Sequence, residues 1–161
     1  KDSGLTKLEE IFQSINSIGT EIAPDGDYEL SIAGHSLGGA LATILSFYAA
    51  ASGIFSNVKT IMAYTYAAPR VGCQRFVYAF QHLERKGKLR LARFSSACDI
   101  VPLVPFWSAD GLELGRPYKH VGLHIRLNGM GKIAQYSLRR ALDVTYPKHH
   151  GLWSQLWRGL R

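Results

Sequence analysis

Gly34-His35-Ser36-Leu37-Gly38 constrains this chain more than any other stretch, because of what flanks it. Upstream, Tyr28 to Ala33 is short, β-prone and mostly apolar, which predicts a buried strand. Downstream, Ala40 to Ala51 is rich in helix formers, and Gly53 ends the run. A chain that passes from strand to helix over so few residues must turn sharply at Ser36, straining its backbone. Gly34 and Gly38 lack a Cβ and are expected to let neighbouring backbone close on that turn. His35 is expected to pack beneath it. The new helix points its N-terminus at Ser36, so negative charge is favoured there, and the Leu37 N–H is placed to donate to an oxyanion. A serine in G-x-S-x-G between strand and helix is the pattern of a nucleophile elbow.

The remaining periodicities extend this into a fold class. Leu5, Leu8, Ile11, Phe12, Ile15 and Ile18 recur at helical spacing, predicting an amphipathic helix over residues 4–18 that Gly19 and then Pro24-Asp25-Gly26 break. Val58 to Tyr66 predicts a strand, Gln74 to Arg85 a helix, and Leu89 to Ser95 a strand ending at Cys98-Asp99-Ile100-Val101-Pro102. Residues 102–117 read as an irregular loop, Tyr118 to Leu127 as a further strand, and Leu152 to Leu160 as a short amphipathic helix. Strands alternating with helices predict an α/β fold on a mainly parallel sheet. No internal repeat or second domain interrupts it, so residues 1–161 are expected to form a single domain.

Composition removes several alternatives. At 47% hydrophobic and 19% charged, the chain is too apolar for a disordered tail. Its two cysteines, Cys73 and Cys98, make no disulfide framework and are expected to be free thiols. The longest apolar stretch, Leu37 to Ala51, is shorter than a membrane span and includes Gly38, Gly39, Thr43 and Ser46. Charge is uneven: residues 1–60 carry three Lys/Arg against seven Asp/Glu, and residues 61–161 carry sixteen against five. These cations are scattered and come with no nucleic-acid motif, so a solvated basic face is the expectation rather than a nucleic-acid partner. The opening Lys1-Asp2-Ser3-Gly4, without an initiator Met or signal peptide, reads as the start of a fragment of something longer.

A serine is a weak nucleophile and needs a base, itself oriented by a carboxylate. Asp99 is the leading acid. It follows the predicted strand Leu89–Ser95, which puts it at the carboxyl end of the sheet with Ser36. Asp110 and Glu113 are the nearest alternatives. The base comes from His120, His124, His149 or His150. His120 and His124 fall within a predicted strand, whereas His149 and His150 sit in a loop after Pro147, where an imidazole can reach Ser36. The residues alone do not separate these last two.

Four stretches, in order and spacing, resemble one family. Gly34-His35-Ser36-Leu37-Gly38-Gly39-Ala40-Leu41-Ala42 is similar to the elbow of the fungal-lipase-like (class 3) lipases, in the α/β-hydrolase superfamily. Tyr64-Thr65-Tyr66-Ala67-Ala68-Pro69-Arg70-Val71-Gly72 resembles the family's Y-T-F-G-x-P-R-V-G. Cys98-Asp99-Ile100-Val101-Pro102 resembles its N-D-x-V-P, which carries the triad aspartate, and Tyr118-Lys119-His120-Val121-Gly122 its Y-x-H-x-G, whose histidine is not the triad base. The resemblance covers about residues 25–155. It implies an α/β-hydrolase-type, mostly parallel sheet flanked by helices, here lacking its N-terminal strands, so that the chain is the C-terminal part of a class 3 lipase domain. Those upstream strands would bring the second oxyanion donor and the lid. The family's base precedes an aromatic-containing segment near the end of the domain, which His150-Gly151-Leu152-Trp153 fits better than His149 does. Cys98 replaces the family's asparagine, Ala67 its glycine and Cys73 a polar residue.

The activity so implied is that of a serine esterase cleaving acylglycerols or related lipid esters through Ser36, Asp99 and His150, with no metal or organic cofactor. Val101, Leu103, Val104, Phe106 and Trp107 are candidates for an acyl groove or peripheral contact with a lipid surface. Leu152, Trp153, Leu156 and Trp157 beside Arg158 and Arg161 are candidates for an anionic interface, or for a helix docked on the core. The alternatives are a non-catalytic lipase-like module that binds lipid or protein, and an acyltransferase using the same triad.

Overall fold

The computed structural model describes residues 4–25, 28–96, 98–105, 117–127 and 142–145. Helix α1 (Lys7–Ile22) leads into β1 (Leu30–His35), α2 (Leu37–Ser52), β2 (Ile61–Tyr66), α3 (Gln74–Arg85) and β3 (Leu89–Ser96). A 3-10 turn (Val101–Leu103) precedes β4 (Leu123–Leu127) and β5 (Leu142–Thr145). The strands lie side by side in chain order, with β1 to β4 parallel and β5 antiparallel to β4. The expected α/β, mostly parallel sheet is what the chain forms.

Because the strand order always advances in one direction, right-handed crossovers put α2 and α3 on the same face. Phe47 of α2 accordingly meets Phe76 and Phe80 of α3 at ring-centroid distances of 5.1 and 6.3 Å. Under the helices, cross-strand rows place the half-buried Leu30 beside buried Ile61 and Leu89, then bury Ile32, Ala63 and Leu91. Helix α2 turns small residues inward at Gly39, Ala42, Thr43, Ser46, Ala49 and Ala50. Its two buried hydroxyls bond back within the helix, Thr43 Oγ1 to Gly39 O at 2.9 Å and Ser46 Oγ to Thr43 O at 3.0 Å. Neither of these two hydroxyls is thereby stranded against the sheet.

Several boundaries differ from expectation: β1 starts at Leu30, α2 at Leu37 and β2 at Ile61. Helix α1 starts later, at a Thr6–Glu9 capping box, and runs through Gly19 to Ile22. Gly19 is a packing residue rather than a breaker, since a Cβ there would stand 2.5 Å from the Tyr28 ring, whose hydroxyl donates to Asn16 Oδ1 at 2.8 Å. β4 begins five residues after Tyr118 because Gly122 is left-handed (φ +77°) and sits against Leu91 O. Lys119 instead makes an isolated antiparallel bridge with Gly72. β5 was not anticipated. The expected helix over 152–160 lies outside the described residues, as do Phe106, Trp107, Asp110 and Glu113. Among the described residues, neither Cys73 nor Cys98 takes part in a disulfide. Among the described residues, no helix is long and apolar enough to cross a membrane.

Candidate active site

Ser36 joins β1 to α2 with φ +54° and ψ −125°, a region that side-chain-bearing residues rarely occupy. The strain is held from several sides. Ser36 N–H donates to Tyr66 O at 2.9 Å, continuing the β1–β2 ladder past its last pair. Gly39 and Ala40 N–H turn back onto Ser36 O at 2.9 and 3.3 Å, which starts the helix. The Leu37 N–H precedes them at the open end of α2. Ser36 is the N-cap of α2, yet its side chain makes no capping hydrogen bond. A serine at that position ordinarily spends its hydroxyl on the helix. Here the Oγ is left for other work.

The glycines divide differently from expectation. A Cβ on Gly34 would fall 2.1 Å from Gly38 O, and one on Gly39 would fall 2.7 Å from Ala68 Cβ. A Cβ on Gly38 would meet nothing within 4 Å. Close approach at the turn is therefore the work of Gly34 and Gly39, while Gly38 contributes its backbone to the contact with Gly34. His35 does not pack beneath the elbow. Strand side chains alternate, and with Gly34 turned toward α2, His35 faces the other way and is exposed. Ala67, in the family's glycine position, is left-handed (φ +52°), which accounts for a glycine preference there.

Asp99 lies three residues beyond β3, on the same carboxyl end of the sheet as Ser36. β1 and β3 are separated by β2 alone, so their backbones run about 10 Å apart. Asp99 Oδ1 accepts from Val101 N–H at 2.9 Å, and its own N–H donates to Ser96 O at 3.3 Å. His149 and His150 lie outside the described residues.

The other two base candidates are engaged elsewhere. His124 Nε2 is 2.7 Å from Ser95 Oγ on the neighbouring strand. His120 Nε2 is 2.6 Å from Pro102 O. Burial and the nearby Arg93, Arg70 and His124 push the His120 imidazole down to about 4, despite the opposing pull of that hydrogen bond. His120 is thus neutral at ordinary pH. Arg93 lies in one cross-strand row with Gly34, Thr65 and His124. Its Nε is buried and without a hydrogen-bond partner among the described residues, and burial lowers the guanidinium to about 10.

Exposed apolar side chains lie toward the same end of the sheet: Leu37 is 68% exposed, Leu41 58%, Ile100 75% and Leu103 49%. Tyr66 stacks on Phe94 at 5.0 Å across β2 and β3.

The lipase (class 3) family profile matches residues 6–109, which include both Ser36 and Asp99. The chain belongs to the class 3 lipase family. The profile match stops short of Tyr118–Gly122 and of the two late histidines. Among curated proteins, a phospholipase A1-IIgamma of Arabidopsis thaliana is 31% identical over 112 residues, which are 64% of this chain and 26% of that protein. Among solved structures, lipase II from Rhizopus niveus superimposes with a TM-score of 0.58 at 18% identity, covering 87% of this chain and 48% of its own. A triacylglycerol lipase whose catalytic centre is formed by a serine protease triad gives 0.52 at 25% identity, covering 75% and 40%. The chain therefore spans about a quarter of the plant phospholipase and under half of each of the two lipase structures. These likenesses identify the sheet as an α/β-hydrolase sheet.

Proposed function

We propose that this chain carries the nucleophile, acid and base of a serine hydrolase that cleaves carboxylic esters of lipids, acylglycerols or closely related esters. The observation that carries the reading is Ser36: a strained serine at a strand-to-helix turn, with its hydroxyl unused by the helix it caps. Membership of the class 3 lipases supports the substrate class. So do the names of two relatives, a phospholipase A1 and a triacylglycerol lipase.

In the proposed mechanism, Ser36 Oγ attacks the ester carbonyl while His150 takes its proton, with His149 the alternative base. The Leu37 N–H donates to the oxyanion, and the α2 N-terminus favours the developing charge. Asp99 spends Oδ1 on its own turn, and Oδ2 is the oxygen to receive the imidazole N–H. The protonated imidazole then gives its proton to the leaving alcohol, and water hydrolyses the acyl-enzyme by the reverse sequence. Leu37, Leu41, Ile100 and Leu103 form an apolar rim that meets the acyl chain or the lipid surface. We further propose that residues 1–161 belong to one lipase-like domain, as the C-terminal part of a class 3 lipase domain.

The test is hydrolysis of an emulsified acylglycerol by the full-length protein, wild type against Ser36→Ala. Fatty-acid release should fall by about 10⁴-fold or more with the fold intact. Release at near the wild-type rate would remove Ser36 from the mechanism.

A further inference from the structure

Asp99 does not sit on a strand or a helix. It sits on a turn, and the turn's own bonds are short-range: Asp99 N–H to Ser96 O, Val101 N–H to Asp99 Oδ1, Leu103 N–H to Ile100 O at 2.9 Å and Val104 N–H to Val101 O at 3.2 Å. Of these, only Asp99 N–H to Ser96 O reaches the sheet, at the last residue of β3, and the others lie within the turn. Two bonds from elsewhere anchor its far side. Arg70 N–H, after β2, donates to Val104 O at 2.8 Å. From the segment before β4, His120 Nε2 reaches Pro102 O at 2.6 Å. Pro102 is itself buried, where a carbonyl needs a hydrogen-bond partner.

The chemistry of this contact fixes the state of the imidazole. A carbonyl oxygen only accepts, so Nε2 must carry the proton. Among the described residues, Arg93 on β3, Arg70 after β2 and His124 on β4 are the charged or titratable groups that act on His120, and none of them is an acid. They oppose a second proton on the ring. The imidazole is held as a neutral donor of a single tautomer, aimed at the acid turn. The bridge between Lys119 N–H and Gly72 O, 2.7 Å, braces the His120 segment against the Arg70 loop, so both anchors form one unit.

We propose that His120 is a positioning residue: its Nε2–H, donated to Pro102 O, sets the position of the turn that aims Asp99 at the catalytic imidazole. This rests on the hydrolase reading above. His120 touches no reacting atom, and its loss should slow the chemistry without weakening ester binding.

The experiment uses the full-length protein with His120→Leu, His120→Asn and His120→Gln. Glutamine places an amide N–H where Nε2 stands, and asparagine stops one methylene short. Leucine and asparagine should each cost about 10- to 100-fold in kcat with KM little changed, the scale of a small misplacement of a catalytic group. Glutamine should recover most of that rate. Amide exchange in the peptide spanning residues 98–105 should quicken with leucine and asparagine and return toward wild type with glutamine. Wild-type kcat in the leucine variant would overturn the proposal, even with faster exchange in the turn. So would equal rates for glutamine and asparagine, a comparison that still decides if leucine prevents folding. Absence of ester turnover in the wild type would instead overturn the hydrolase reading. The exchange measurement would then still report whether His120 holds the turn.

Discussion

Replacing Gly34 and Gly38 separately by alanine should move stability in opposite directions, although both occupy glycine positions of G-x-S-x-G. A Cβ on Gly34 would lie 2.1 Å from Gly38 O, 2.4 Å from Gly38 C and 2.8 Å from Gly39 N. Ordinary contact starts at 3.4 Å, so backbone must yield by about 1.3 Å. What must yield is the first turn of α2, tied by Gly39 N–H and Ala40 N–H to Ser36 O, or the end of β1, tied by Ser36 N–H to Tyr66 O. Neither can move without loosening a hydrogen bond at the elbow. The expected loss is therefore at the top of the overpacking range, about 3 kcal/mol. Gly38 has open space around its missing Cβ, and alanine there restricts the unfolded chain and favours the helix, a gain of up to about 1 kcal/mol. Denaturant unfolding of the full-length protein and both variants, read at constant m-value, gives the two differences. Equal losses in both variants, or a neutral Gly34→Ala, would refute the assignment of close approach to Gly34.

Glu84 is buried on α3, and desolvation raises its carboxyl to about 7, against a smaller opposing effect of Arg90. The folded chain thus holds this proton more tightly than the unfolded chain. The associated stability is full below about pH 4.5 and is lost as pH rises through 7. Glu84→Gln should therefore stabilise by up to about 3 kcal/mol at pH 8 and by almost nothing at pH 4, and a gain independent of pH would refute the cause. Asp99→Asn should keep the turn, whose Oδ1 bond an amide oxygen can replace, yet cost about 10⁴-fold in kcat by favouring the wrong imidazole tautomer. A near-normal rate in that variant would move the acid elsewhere. His150→Ala should abolish turnover while His149→Ala lowers it only modestly, and the reverse result would exchange their roles.

Much of the sheet was legible because its signals are local. The alternation of apolar runs with turn glycines located β1, β2, β3 and α3, and Gly53 terminates α2 in the left-handed conformation as its position suggested. Errors arose where a residue's role is set by what lies across from it. Gly19 reads as a breaker until Tyr28 is seen against it. Gly38 and Gly39 look interchangeable along the chain, and only Ala68 and Gly34 separate them. His35 reads as packing beneath the elbow until strand alternation from an inward Gly34 places it outside. Ser36 was found through its motif and its flanks. The tie from His120 to the acid turn spans eighteen residues and joins an imidazole to a backbone carbonyl, a contact with no pattern in sequence.

If Ser36 is an activated nucleophile, it reacts covalently with an electrophile aimed at serine hydrolases. Treating the full-length protein with a fluorophosphonate probe, followed by peptide mapping, measures this directly and needs no knowledge of the natural ester. A single adduct on Ser36 in the wild type, absent in Ser36→Ala and much slower to form in Asp99→Asn, is the predicted result. An unlabelled wild type, or an adduct that persists in folded Ser36→Ala, would contradict it.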